Sequence, residues 1–181
     1  TLRALTLHTA DEAGNNPGPD YRFGWGLMNS ERAAALISDD TDHSMIITQT
    51  LDANDVYTYT FKADGTEDIA ATIAWTDPAA SLLPGGNNDL ATPRLMNDLD
   101  LRISRDGGLT YFPWILDVAA PSAGATTGDN AVDNVEKIEI PEPIAGDYIV
   151  RVSHKGQMLT NDSQVFSLIL EGITSEDFMV S

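Results

Sequence analysis

At 181 residues the chain is long enough to bury a sizeable core within one domain, and its 28 acidic against 10 basic side chains give a formal net charge of −18. That surplus repels phosphate backbones and anionic lipid heads, so no nucleic-acid partner and no membrane insertion are expected. The absence of cysteine excludes disulfides, thiol catalysis and zinc–thiolate sites, and no apolar run approaches the roughly 18 residues of a spanning helix.

The chain opens on Thr1, which is read as processing or excision from a longer protein whose leader lies upstream. In "TLRALTLHTA", Leu2, Leu5, His8 and Thr9 fall at helical spacing. The loop "DEAGNNPGPDYRFGWG" follows, and Asn29 or Ser30 caps a second helix in "SERAAALI", with Glu31 favourably placed in its first turn. Two short helices bury little by themselves. Residues 1–37 are therefore expected to pack on a larger body, with 38–44 as linker.

From residue 45 the apolar period changes to two, and eight strands are predicted at 45–51, 56–62, 69–75, 98–104, 109–114, 135–140, 147–153 and 164–171. Gly107-Gly108 suits a hairpin turn between the fourth and fifth. Strands without intervening helices point to a mainly β fold, an eight-stranded antiparallel jelly-roll sandwich over 45–173, with 174–181 as a tail. Two connections, 76–97 and 115–134, are long and rich in Gly, Asn and Asp.

The strand "LMNDLDLRI" places Asp98 and Asp100 on one face, about 7 Å apart, while Leu99 and Leu101 point the other way. Like charges so placed need solvent, a cation or basic neighbours. Asp77, Asp89, Asn97, Asp129, Asp133, Asn134 and Glu136 lie at neighbouring strand ends, the oxygen-rich donor set that calcium uses; the competing reading is a solvated acidic face.

"LRALTLHTADEAGNNPGPDYRFGWGLMNSERAAALI" resembles the C-terminal end of a subtilisin-like (peptidase S8, subtilase) catalytic domain. "TIAWTDP", "LMNDLDLRI", "DNVEKIEI", "AGDYIVRVSHKG" and "QVFSLILEG" resemble the accessory β-jelly roll of the large alkaline subtilases, related in architecture to the P domain of proprotein convertases. The resemblance implies that 1–37 is the tail of an α/β catalytic domain and that the partners are the remainder of that domain and protein substrates. It also implies a secreted parent. A structural Ca²⁺ is implied at the "ND.D" and "DN.E" positions, with Asp98 and Asp100, joined by Asp133, Asn134 or Glu136 and by Asp77, pinning the long loops. Subtilases order their triad Asp, His, Ser, with the nucleophile in a "GTSMA" segment; none of these motifs occurs here, so the chain alone is expected to be proteolytically inactive, with no catalytic residue.

The remaining motifs read as structure first. His8 is a packing or capping residue, and His43 and His154 lack an evident nucleophile. Trp75 belongs to the core and Trp25 packs the loop against the missing body. Tyr111, Phe112, Pro113 and Trp114 are read as core, the alternative being an exposed stacking surface for sugar or peptide. "NDS" at 161–163 matches a glycosylation sequon. Against the protease fragment stand a carbohydrate-binding or adhesive β-sandwich and a glycosidase. The last is disfavoured because Asp98 and Asp100 share one strand face and cannot flank a glycosidic bond.

Overall fold

The structure is a computed structural model describing residues 1–41, 43–80, 93–105, 108–156 and 162–174. Two helices, α1 (Leu2–His8) and α2 (Ser30–Ser38), precede ten strands among these residues. The strands are β1 (Ser44–Asp52), β2 (Tyr57–Ala63), β3 (Ile69–Trp75), β4 (Asp98–Arg105), β5 (Leu109–Tyr111), β6 (Trp114–Ile115), β7 (Thr126–Thr127), β8 (Val135–Ile140), β9 (Gly146–Lys155) and β10 (Ser163–Glu171). One sheet runs β1-β10-β3-β8, the other β2-β9-β4-β5, and β6-β7 form a small ribbon; every ladder is antiparallel.

The expected antiparallel β sandwich is thus observed, with successive long strands alternating between its two sheets except at the β4–β5 hairpin. The strand expected at 109–114 is interrupted at Phe112-Pro113, where proline has no N–H to give a ladder. β7 is too short to leave a periodic signal. Of the expected Gly107-Gly108 turn, Gly107 lies outside the described residues, and Gly108 takes φ +91 with its N–H on Arg105 O at 3.2 Å.

Alternation places Phe61, Ala71, Ile73, Trp75, Leu99, Leu101, Ile103, Tyr148, Val150, Val152, Phe166 and Leu168 between the sheets. Phe61 stacks on Tyr148 at 5.7 Å and Tyr57 meets Phe166 edge-on at 5.8 Å. Each fully buried large side chain contributes about 1.5–3 kcal/mol, so this layer supplies most of the driving force.

β3 is buried along its whole length, because the helices cover its other side. Ala4 and Leu5 of α1 and Leu36 of α2 form a second cluster with Ala74, Val135 and Ile169, and Trp25 packs against it. The body on which residues 1–37 pack is, in this structure, the sandwich itself. The small side chains of "IAATIAW" explain how: Ala70, Thr72 and Ala74 leave room for a helix on the face opposite Ala71, Ile73 and Trp75.

Local chemistry shapes the helical segment. Asn29 is the cap of α2, its Oδ1 accepting from Arg32 N at 2.8 Å. Asp11 and Leu27 exchange backbone hydrogen bonds at 2.8 and 2.9 Å across the loop. Gly26 makes this possible: at φ +102, a Cβ there would lie 2.0 Å from Asp11 O.

Candidate functional site

β4 presents Asp98, Asp100 and Arg102 on the face opposite Leu99, Leu101 and Ile103, and its register with β9 sets Asp98 across from Lys155. Lys155 Nζ lies 2.7 Å from Asp129 Oδ1, 2.9 Å from Asp100 Oδ1 and 3.5 Å from Asp98 Oδ2. These are charge-to-charge approaches rather than aligned hydrogen bonds. Arg102 reaches the same anions from its own strand, with Nη2 at 2.9 Å from Asp100 Oδ1 and paired also with Asp129, while its guanidinium lies 4.8 Å over the Phe112 ring. The carboxylates are thus held by basic neighbours.

The electrostatics follow from this packing. Burial pulls the Lys155 ammonium down, but Asp129 and Asp100 outweigh it and hold it above its ordinary range. Lys155 in turn holds Asp129 below the usual carboxylate range. Asp98 is pushed up, chiefly by burial, against the pull of Lys155. Its Oδ1 is buried without a hydrogen-bond partner.

Glu136 comes from β8 in the opposite sheet and has no exposed surface. β5 pairs with β4 only across Ile103–Arg105; beyond its reach the Leu101 N–H is donated to Glu136 Oε2 at 2.5 Å. The carboxyl therefore bridges the two sheets where the ladder ends. Its Oε1 has no partner, and Arg102 Nη1 stands 3.7 Å from Oε2. Burial pushes Glu136 up to about 9, against the Leu101 hydrogen bond and Arg102.

The other expected metal ligands make hydrogen bonds of their own. Asp77 accepts from the N–H groups of Met96 and Asn97, both at 2.8 Å, and so joins the two sides of the long connection. Asn134 donates to Trp75 O at 3.0 Å, while its own carbonyl accepts from Trp75 N and from Arg3. Asp133 accepts from Asn130 Nδ2 at 3.1 Å. Of the six residues, the structure brings together Asp98, Asp100 and Glu136; among the described residues no three acidic or imidazole groups are arranged to hold a metal ion. Asp89 lies outside the described residues. Arg102 was legible as a same-face neighbour of Asp100, whereas Lys155 joins the cluster through a ladder register that spacing does not encode.

A second polar cluster fastens α1 to the sandwich. The His8 ring is fully buried, with Nδ1 at 2.9 Å from Thr72 Oγ1 and Nε2 at 3.2 Å from Glu171 Oε2, and Arg32 Nη2 reaches that same oxygen at 2.9 Å. Burial pulls His8 below its ordinary range despite Glu171. For Glu171, His8 and Arg32 outweigh its own burial and hold it down to about 2. Hydroxyl, imidazole and carboxylate line up as in a catalytic relay, but Thr72 and His8 are sealed from solvent, so the arrangement is a fastening. The packing role expected of His8 is what the structure shows.

His154 Nε2 accepts from Asn54 N at 3.1 Å, and His43 Nδ1 lies 3.4 Å from Ile173 O. Trp75 is in the core, as expected, its indole N–H donating to Asn97 O at 3.0 Å. Trp114 is not: it is half-buried outside the sandwich core, its indole N–H on Glu139 Oε2 at 2.8 Å and its ring against Gly18. Tyr111 packs against the core, while Phe112 is exposed beneath Arg102. Asn161 of the sequon lies outside the described residues. A groove of about 590 Å³ runs between the start of α1 and the ends of β3 and β10, lined in part by Trp75, Asp77 and Gln164, with Thr1, Thr48 and Ser167 linking hydroxyls at 2.9 and 3.1 Å along it.

No family model matches the chain. Over 115 residues, 62% of the chain, it is 29% identical to the serine protease/ABC transporter B family protein tagA of Dictyostelium discoideum, of whose length it spans 6%. Among solved structures it is similar to PliG of Aeromonas hydrophila, a periplasmic inhibitor of g-type lysozyme, at 15% identity and a TM-score of 0.33, covering 72% of this chain and 86% of that one. At that TM-score the likeness carries no functional weight. No helix among the described residues is long and apolar enough to cross a membrane.

Proposed function

We propose that the chain is the C-terminal part of a secreted subtilisin-like serine endopeptidase: the closing helices of the catalytic domain, fastened to a jelly-roll accessory domain that braces the protease and helps hold protein substrate. One observation carries the reading. The helical segment is two-sided, with Leu5, His8 and Leu36 buried while Leu2, Leu27, Met28 and Ile37 are 76%, 64%, 74% and 55% exposed. A segment that spends its polar fastening on the sandwich and leaves that much apolar surface outward is suited to receive further protein on its other side. The sequence likeness to a protein whose name includes serine protease agrees with what the subtilase resemblance implies.

In this reading the accessory domain contributes no reacting group. His8, Glu171 and Arg32 act mechanically, setting α1 and α2 rigidly on the β3–β10 surface, so that a catalytic domain built on them is held at one orientation to the sandwich. The carbohydrate-binding alternative loses its best anchor, since Trp114 is engaged by Glu139 and Gly18.

The test is to read the gene upstream of Thr1 and to assay the two products. A "GTSMA"-type segment preceded by Asp and His motifs, casein hydrolysis by the longer chain and none by residues 1–181 are the expected results. Hydrolysis by the short chain, or an unrelated domain upstream, would overturn the reading.

A further inference from the structure

We propose that the cleft between the 14–23 loop of the helical segment and the 121–123 turn of the sandwich binds a neutral saccharide, with the Tyr21 ring as stacking platform and Asn15, Asn16 and Ser122 as hydrogen-bonding partners. The cleft has a volume of about 250 Å³ and lies on the seam between the two parts of the molecule. Its walls are built in advance. Glu12 accepts from the N–H groups of Ala13 and Gly18, both at 2.9 Å, and the Trp114 ring packs on Gly18, where a Cβ would lie 2.7 Å from it. The turn that follows is closed by reciprocal Asp20–Gly24 backbone bonds at 2.9 Å, with Asp20 Oδ1 accepting from Arg22 N and Phe23 N. Across the cleft, Asp117 accepts from Ala119 N at 2.8 Å and Ala123 N is donated to Ala120 O at 2.9 Å. Gly124 lets the walls meet, since a Cβ there would lie 3.0 Å from the Asn16 side chain. A cleft fixed in this way loses little ordering entropy on binding.

The lining sets the class of ligand. Tyr21 and Phe23 are 49% and 42% exposed, and Phe23 is held by the Arg22 guanidinium 5.0 Å over its ring and by Gly14 beside it. Tyr21 has no ring contact, and among the described residues neither its hydroxyl nor the side chains of Asn15, Asn16 and Ser122 are hydrogen-bonded. The cleft thus offers a free aromatic face beside two amides and two hydroxyls, groups that both donate and accept. A sugar ring has the matching surface, an apolar C–H face and an edge of hydroxyls that also donate and accept. A peptide is matched less well, because the N–H groups of Asp20, Arg22, Phe23 and Gly24 are spent within the turn and leave no ladder edge for a strand. The charge of −18 selects further, since it repels acidic sugars and leaves neutral ones unopposed. Trp114 takes no part in stacking; it fixes the loop that carries Tyr21. The inference is independent of whatever lies before Thr1.

The test titrates isotope-labelled chain with cellobiose, maltose and N,N′-diacetylchitobiose in the millimolar range while amide spectra are recorded. The expected result is that at least one disaccharide shifts the side-chain amide signals of Asn15 and Asn16 and the backbone signals of the 20–24 turn. Tyr21→Ala should weaken that binding about tenfold, whereas Tyr21→Phe, which keeps the ring, should retain most of it. Asn15→Ala, expected to weaken binding about threefold or more, keeps the proposal falsifiable should the Tyr21→Ala chain fail to fold. Absence of shifts with all three sugars overturns the proposal, and so do shifts that neither Tyr21→Ala nor Asn15→Ala diminishes. A casein-derived peptide that moves the same signals where the sugars do not would make the cleft a peptide site and overturn it as well.

Discussion

Glu136 has the most consequential titration in the sandwich. Its ordinary value is 4.5 and the folded value about 9, raised mainly by burial. Between those values the native state holds a proton that the unfolded chain has released, so the stabilisation is complete below about pH 4.5 and is lost as pH rises toward 9. Glu136→Gln retains an acceptor for the Leu101 N–H and removes the titration. It is expected to raise stability near pH 8 by about 1–3 kcal/mol and to flatten the alkaline decline, measured by urea unfolding across that range. Equal slopes in both proteins would show that Glu136 is already ionised in the fold. In "DNVEKIEI" period two puts Glu136 on the face of Ile138 and Ile140 and Glu139 on the opposite one, so the inward direction of Glu136 was legible. What was not legible is its partner, the Leu101 N–H left in need of an acceptor where the β5 ladder ends. Asp98 and Asp100 were legible as a same-face pair because period two demands it, but their counter-charge was not, since Lys155 arrives through the β4–β9 register.

The docking of α1 on β3 and β10 is the element-level feature with a pH signature. His8 is faced by Thr72 and Glu171 from the sheet, by Arg32 from α2 and, at longer range, by Lys137. Burial lowers its folded value below the ordinary 6.5. The unfolded chain therefore takes up a proton first as pH falls, and stability is lost below about pH 6.5 until the folded ring also titrates. His8→Gln should lower stability at neutral pH, since the Thr72 and Glu171 contacts are disturbed, yet flatten the slope between pH 6.5 and 5; melting curves over that interval read both effects. An unchanged slope would assign the acid sensitivity to carboxylates instead. Most strands were readable at this scale because large apolar side chains recur at every second position, as Ile69, Ile73 and Trp75 do even in the wholly buried β3. The exceptions follow physical rules: Pro113 splits one predicted strand, and β7 has two residues. The helices were readable too, but their partner was not, because the Ala70, Thr72 and Ala74 face of β3 looks unremarkable until a helix is laid on it.

For the whole molecule, the dominant electrostatic fact is a charge of −18 shared by 28 acidic and only 10 basic side chains. Several of the basic groups are committed locally, Arg102 and Lys155 to one acidic cluster, Arg32 to Glu171 and Lys137 to Glu139. The remaining acids repel one another across the surface, and compaction concentrates that repulsion. Raising ionic strength shortens the Debye length from about 30 Å at 0.01 M to about 8 Å at 0.15 M. The same salt weakens the partly exposed ion pairs, each worth about 1 kcal/mol or less. Because unpaired acids far outnumber such pairs, relief of repulsion wins, and Tm should rise with added KCl. CaCl₂ at equal ionic strength should act on wild type no more strongly than KCl, since screening depends on ionic strength whereas a site depends on the ion. A Tm that falls with KCl would mean that ion pairs such as Lys155–Asp129 dominate over the net charge. A calcium effect well beyond ionic strength, abolished by Asp98→Asn, would restore a metal to the cluster that Lys155 fills.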